Sequence, residues 1–207
     1  MAEFTTIDLN ENEKNEVEKH LNFISHVTEE SIKYGYRAII GGGYAVDGAI
    51  GKITRPHQDI DIKLYGNDVI TPKLLVDSLL TGMYKEYSLN DHERSEYWHS
   101  FFVTEIGAKV YYIRLATKPF SDTRIVIKSD GKYSEEEDFD TKIVVLNGVR
   151  YEAQSPTLEL VHKLYKREHR GDTKISKHEQ DIYNLQQITD SYVVQEEIDK
   201  LVKRSYR

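Results

Sequence analysis

Two aspartates separated by one residue, Asp59 and Asp61, follow closely on Arg55 and His57, and all four come after three successive glycines, Gly41–Gly43. On an extended segment alternate side chains share a face, so Asp59 and Asp61 point one way while Ile60 and Ile62 point into a core on the other. Their Cα atoms would then lie roughly 6.5 Å apart, from a rise of about 3.3 Å per residue. Carboxylates at that spacing can converge on one Mg2+, or bridge two ions about 3.5–4 Å apart. Two adjacent anions repel, and a bound divalent cation relieves that repulsion. By itself, Asp-x-Asp is equally a description of two solvated aspartates on an exposed strand.

The glycines add the second half of a site. Backbone without a Cβ can approach a phosphate closely, and free N–H groups at a helix start favour an anion. Arg55 offers a planar fork to phosphate oxygens. His57 could donate to phosphate or take part in proton transfer. Strand, glycines, helix, then a strand with paired acids places a phosphate cradle beside a metal site, which is what nucleoside triphosphate chemistry needs.

The elements that must hold these residues are legible in outline. Val17, Leu21, Ile24 and Ile32 recur at helical spacing, which predicts a helix over roughly 11–34. A short apolar strand over 37–40 runs into the glycines, and a helix over 44–50 is stopped by Gly51. Residues 60–64 alternate apolar and polar, the strand period. Thr71-Pro72 is a helix start, with Leu74, Leu75, Ser78 and Leu79 continuing it. Residues 84–128 read as β-rich, with strands at 98–104, 109–115 and 124–128. Lys142 to Glu152, turning at Asn147-Gly148, is a hairpin with a type I′ turn. Ser155-Pro156 opens a helix to about 170, and 175–188 and 195–204 give two more. The expected class is α+β, a mixed sheet flanked by helices, with a nucleotide-handling domain over 1–152 and a helical C-terminal portion over 153–207.

Composition narrows the partners. The chain has 207 residues, 28 Lys and Arg against 35 Asp and Glu, a formal net charge of -7 and no cysteine. Disulfides, thiolate metal sites and cysteine nucleophiles are thereby excluded. No apolar stretch approaches the ~18–20 residues that crossing a bilayer requires. The acidic N-terminus lacks the apolar core of a signal peptide, so a cytoplasmic protein is expected. A phosphate-backbone binder usually carries a dominant basic face, which disfavours nucleic acid. Charge is uneven: residues 135–140 hold five acids and read as a solvated loop, while 161–178 hold six Lys or Arg against two acids. An acidic body with one basic segment suits a small anion or a cationic substrate better than a long polyanion.

The segment Gly41-Gly-Gly-Tyr-Ala-Val-Asp-Gly-Ala-Ile-Gly-Lys-Ile-Thr-Arg-Pro-His-Gln-Asp-Ile-Asp-Ile62 resembles the signature of small-molecule nucleotidyltransferases of the DNA polymerase beta superfamily. It is similar above all to the aminoglycoside and lincosamide nucleotidyltransferases. Weaker similarity extends to Phe102–Gly107, to Ser155-Pro156 with Lys163, and to Lys177–Ile182. The resemblance implies an enzyme that uses Mg2+, one or two ions, to move an NMP, AMP first among them, from an NTP to a hydroxyl with release of pyrophosphate. ATP is then the expected co-substrate and a small hydroxylated molecule the acceptor. Carried over by position, Gly42 and Gly43 would hold the triphosphate and Asp59 and Asp61 the metals. Arg55 and His57 would support the phosphates and the loop, Lys177 would reach phosphate, and Asp181 would be structural.

These enzymes also place a third carboxylate on a neighbouring strand, as metal ligand or general base. Aligning Gly107–Tyr112 puts Tyr112 there, or Tyr111 if the register slips by one, and the nearest acids are Glu105 and Asp122. A tyrosine with an ordinary pKa near 10 is a poor base at neutral pH. Two further readings therefore stand beside the first. One is a nucleotide-binding or regulatory module without turnover. The other is a toxin-type enzyme of the same chemistry acting on protein or tRNA.

Overall fold

Asn10 starts the first helix by a reciprocal cap: its side chain accepts the Glu13 N–H at 3.0 Å, and Glu13 accepts the Asn10 N–H at 2.8 Å. In this computed structural model the backbone is described for residues 4, 6–66, 72–81, 87–95, 98–105, 109–116, 124–129, 132–138, 140–169 and 175–205. Side chains are described at 4, 6–65, 74–81, 140–165, 167 and 178–199. The helices are α1 (Glu11–Lys33), α2 (Gly42–Ile50), α3 (Pro72–Leu80), α4 (Pro156–His169), α5 (Ile175–Gln186) and α6 (Ser191–Ser205). The strands are β1 (Tyr36–Gly41), β2 (Asp61–Gly66), β3 (Tyr87–Ser95), β4 (Trp98–Glu105), β5 (Lys109–Ala116), β6 (Arg124–Ser129), β7 (Lys132–Asp138), β8 (Thr141–Leu146) and β9 (Val149–Gln154).

Seven strands form one sheet in the order β3-β4-β5-β2-β1-β9-β8, and β6 pairs with β7 in a separate ribbon. The sheet is mixed: β1 runs antiparallel to β2, while β2–β5 and β1–β9 are parallel. Its class is α+β, as the sequence implied. The period of two assigns the faces. Ala38, Ile40, Ile60, Ile62, Leu64 and Ala153 join one core with Val17, Leu21, Ile24 and Val27 of α1 and Leu75, Val76 and Leu79 of α3. Asp61 and Lys63 fall on the opposite face. Register fixes the site: Gly41 pairs with Asp61 across β1–β2, and Asp61 pairs with Tyr112 across β2–β5.

A second apolar cluster sits on the other side of α2. Val46 packs with Leu160, Val161 and Leu164 of α4, Ile182 and Leu185 of α5 and Val194 of α6. α2 is therefore the element shared by both cores, and it is apolar on most of its circumference because both sides are covered. Gly51 closes it with a left-handed φ of 83°. The β8–β9 turn has positive φ at both Asn147 and Gly148, 48° and 82°, as a type I′ turn requires.

One strand differs from the sequence expectation, and another, β3, falls in the stretch expected to be β-rich without having been delimited. The acidic run taken as a solvated loop lies mostly in β7, whose backbone pairs with β6 from Arg124↔Asp138 to Ser129↔Lys132. β3 is polar along its length and lacks an alternating pattern, yet it pairs with β4 from Tyr87↔Glu105 to Ser95↔Trp98. In both strands the partner's backbone supplies the ordering. Thr71, expected as a helix cap, and Asp122 lie outside the described residues. Among the described residues no helix is long and apolar enough to cross a membrane.

The middle of α2 is tight. A Cβ on Gly48 would meet the Tyr151 hydroxyl and Val144 Cγ2, each at 2.7 Å, and Tyr151 is itself held by its hydrogen bond to the Tyr44 carbonyl. Gly48→Ala is expected to cost about 1–3 kcal/mol by overpacking, read as a lower urea midpoint with an unchanged denaturant slope.

Candidate active site

β1 ends at Gly41, and the chain turns into α2 through Gly42 at φ 64°. That left-handed conformation favours glycine. Space demands it as well, because a Cβ on Gly42 would lie 2.2 Å from Asp61 Oδ2. At the next residue a Cβ on Gly43 would lie 2.2 Å from His57 Nδ1. The Asp61 carboxylate and the His57 imidazole thus close on successive glycines of one turn. Asp61 is half-buried against Gly42, and Ile60 and Ile62 are fully buried; β2 begins only at Asp61, so Asp59, which is exposed, lies in the loop just before the strand and not on it as the sequence suggested.

The loop from α2 to β2 is fastened from beneath by Asp47. Its Oδ1 accepts the Thr54 hydroxyl at 2.6 Å and the Thr54 N–H at 3.1 Å, and its Oδ2 lies 2.6 Å from His57 Nε2. All three side chains are buried. The His57 ring also lies against Tyr44, with centroids 4.6 Å apart. Tyr44 is held in turn: its hydroxyl is 2.8 Å from His20 Nδ1, and its carbonyl accepts the Tyr151 hydroxyl at 2.7 Å. Burial, then the Asp47 charge, pushes the Tyr151 hydroxyl pKa upward, so it stays a neutral donor. Burial, then nearby His57, lowers His20 to about 4.

Arg55 directs its hydrogen bonds to Asp181 and to the loop backbone. Its Nε and Nη2 donate to Asp181 Oδ1 and Oδ2 at 3.0 and 2.8 Å, a bidentate pair, and Nη1 donates to the Pro56 carbonyl at 3.1 Å. Lys163 Nζ donates to Asp181 Oδ2 at 2.9 Å. Burial would raise the fully buried Asp181, but Arg55 and Lys163 hold its pKa below the ordinary value of 3.8. The cluster ties the loop to α4 and α5, and Gln180 adds a bond to the Thr54 carbonyl at 3.1 Å.

Three polar side chains, the middle one buried, continue from Gly41 in a hydrogen-bonded row. Lys63 Nζ donates to Gln154 Oε1 at 3.2 Å, and Gln154 Nε2 lies 3.1 Å from His162 Nδ1. Glu159, 5% exposed, accepts the Gly42 N–H at 2.8 Å. Lys177 lies in α5, and its side chain falls outside the described ones. Tyr112 stands in register with Asp61, and Tyr111 one position before it, with side chains outside the described set. Glu105 ends β4 opposite Lys109. Sequence reasoning included Asp47 and Thr54 only as matched positions of the motif, without a role, and did not include Glu159. Asp47 had a signal, a lone acid within the apolar run of α2. Glu159 had none, because it reaches the site only through the packing of α4.

The donor set suits a hard divalent cation. Asp59 and Asp61 offer oxygen ligands of the kind Mg2+ takes, and the missing Cβ at Gly42 leaves Asp61 Oδ2 beside the helix start. Among the described residues no three His, Asp or Glu side chains already form a cage.

A family model described as aminoglycoside-2''-adenylyltransferase matches residues 23–89, which include the glycines and the paired aspartates. Among curated proteins none matches the chain. Solved structures do. ANT(2'')-Ia in complex with adenylyl-2''-tobramycin is 17% identical over 90% of this chain and 98% of that one, with a TM-score of 0.61. The solution structure of ANT(2'')-Ia, an antibiotic-resistance factor, is 18% identical over 90% and 93%, with a TM-score of 0.60. The lincosamide antibiotic adenylyltransferase LnuA, lincomycin-bound, is 19% identical over 88% and 100%, with a TM-score of 0.54. In fold the chain is similar to these antibiotic adenylyltransferases, and its residues 23–89 resemble the aminoglycoside-2''-adenylyltransferase family.

The buried groups make stability depend on charge in two measurable ways. Asp181→Asn strands two buried cations without a counter-charge and should cost about 3–5 kcal/mol in chemical denaturation. His20 binds a proton below about 4 when folded but near 6.5 when unfolded. Between those values the unfolded chain holds more protons, so stability falls as pH drops from 6.5 towards about 4. In His20→Gln that part of the stability–pH curve should flatten.

Proposed function

We propose that the protein is a Mg2+-dependent nucleotidyltransferase that moves an NMP, AMP in the first instance, from an NTP to a hydroxyl of a small molecule. An aminoglycoside or lincosamide antibiotic is the acceptor class that its likeness to ANT(2'')-Ia and LnuA supports. The observation that carries this reading is the closure of the Asp61 carboxylate on Gly42, which puts an acidic oxygen beside the first N–H groups of a helix. An oxygen-ligand cation and a phosphate would be neighbours there.

In the reaction the acceptor oxygen bonds to the α-phosphorus as the bond to the bridging β-phosphate oxygen breaks, releasing pyrophosphate and a proton. Asp59 and Asp61 would hold Mg2+, which supplies neutralisation of triphosphate charge and of the charge developing on the leaving oxygen. The backbone of Gly42 and Gly43 orients the phosphates. His57, gripped by Asp47, keeps the Gly43 turn closed. Arg55, paired with Asp181, holds the loop that presents Asp59, and with Lys163 it leaves that cluster net positive. Lys177 on α5 is assigned to phosphate. The domain limits 1–152 and 153–207 then separate the part that carries the glycines and the paired aspartates from the helices that back it and supply Lys177. The reaction is assigned to the cytoplasm.

A second reading, a nucleotide-binding module without turnover, draws on one observation. Tyr112 stands in register with Asp61, where the resemblance implies a carboxylate. Calorimetry with Mg–ATP and pyrophosphate release over a panel of hydroxylated antibiotics separates the two. The enzyme reading expects release with at least one acceptor, and its loss in the Asp59→Asn, Asp61→Asn double variant at unchanged melting temperature. Tight nucleotide binding with no release for any acceptor supports the silent module. Turnover retained by the double variant removes the metal-site assignment.

A further inference from the structure

Glu159 comes from α4, outside the glycine and aspartate motif, yet it meets that motif at its centre. Its Oε1 accepts the Gly42 N–H at 2.8 Å, and it is 5% exposed. A Cβ on Gly41 would meet Glu159 Oε1 at 3.4 Å and the Asp61 Cβ at 3.6 Å, so two acidic side chains flank one glycine. Such neighbours repel. Lys63 Nζ donates to Gln154 Oε1, which lies 3.4 Å from the same Cβ position, while Arg55 and Lys163 are both paired with Asp181. The backbone donor that Glu159 takes is one that an arriving phosphate oxygen would use, because the first N–H groups of a helix lack intrahelical acceptors. A carboxylate of the protein itself therefore occupies the place of an external anion.

Glu159 also has a second partner within reach. Lys163 lies four residues on along α4, and Glu before Lys at that spacing is the favourable order for an ion pair on a helix. Lys163 Nζ is 2.9 Å from Asp181 Oδ2, and an ammonium carries three donors, so one partner does not exhaust it. Moving from the Gly42 N–H to Lys163 needs a change of side-chain torsions on one helix turn. No strand has to shift.

We propose that Glu159 is a built-in competitor for the nucleotide. It holds the Gly42 N–H while no phosphate is present, and a bound triphosphate displaces it towards Lys163. The inference rests on the nucleotide-binding reading above and adds a regulation of that site. Nucleotide entry is thereby coupled to α4, and through Lys163 and Asp181 to Arg55 and the loop before the paired aspartates. The competitor sets a threshold of nucleotide concentration below which the site stays closed on itself.

The test compares Mg–ATP affinity by calorimetry for wild type, Glu159→Ala and Glu159→Gln. Removal of the competing charge and acceptor in Glu159→Ala should tighten binding by about tenfold. Glu159→Gln keeps an acceptor for the Gly42 N–H without the charge, so its affinity should fall between the two. Without nucleotide, the Gly42 amide signal of 15N-labelled protein should move in Glu159→Ala and exchange faster with solvent. If Glu159→Ala does not fold, tighter binding by Glu159→Gln supports the competitor role by itself. Affinity that is unchanged or weaker in both variants, with wild type still binding, overturns the competitor role and leaves the nucleotide reading standing. Binding by none of the three proteins overturns the nucleotide reading, and the competitor with it.

Discussion

The turn from β1 into α2 has no room for a side chain at either Gly42 or Gly43, and much of the site geometry follows from that constraint. Asp61 Oδ2 presses on the first glycine and His57 Nδ1 on the second. The Gly41↔Asp61 register of β1 and β2 is what brings the carboxylate there. A slip of one residue would bring Ile62 to the glycine and turn Asp61 into the apolar core, so burial of Ile60 and Ile62 enforces the register. The hydrophobic pattern of β2 and the position of its acid are one fact seen from two faces of the sheet.

Buried charge is handled in three ways around this turn. Asp47 is satisfied by two donors from Thr54 and by the His57 ring, and this fixes the loop. Asp181 is shared by Arg55 and Lys163, and this fixes the loop to the C-terminal helices. Glu159 is satisfied by a backbone N–H. A buried carboxylate needs such partners to avoid a large desolvation cost. The first two sets draw on side chains packed inside the protein and are suited to permanence. The third uses a helix terminus, a group with which external anions also pair, so its bond is the exchangeable one.

α2 joins these parts because it has no solvent-facing side to speak of. Its Tyr44 and Ala45 belong to the core under the sheet, and its Val46 belongs to the cluster with α4, α5 and α6. The helical C-terminal portion is thus not an appendage hung on the sheet. It packs against α2, its Glu159 accepts the Gly42 N–H, and its Lys163 and Asp181 fix Arg55 of the loop before β2. The likeness in fold to ANT(2'')-Ia and LnuA spans about nine-tenths of this chain, so it takes in these helices as well as the sheet.

The sequence alone determined the local half of the site. Three glycines, an arginine, a histidine and two aspartates lie within 21 residues of one another, and short-range rules of strand period, turn conformation and helix capping are enough to order them. The same rules located β1, β2, α2 and the β8–β9 hairpin, because each carries its own apolar pattern or turn residue. They left β3 undelimited within a stretch expected to be β-rich and missed β7, and the polar sequences of both are ordered by pairing with a partner strand. Tertiary structure alone decided what Arg55 and His57 bond to, since Asp181 lies 126 residues from Arg55 and Asp47 meets His57 through the fold of a loop. It also decided that Tyr112 stands beside Asp61, and that Glu159, 117 residues from Gly42, takes the N–H at the helix start. The physical reason is range: backbone preferences act over a few residues, whereas a buried charge must find its partner wherever packing places one.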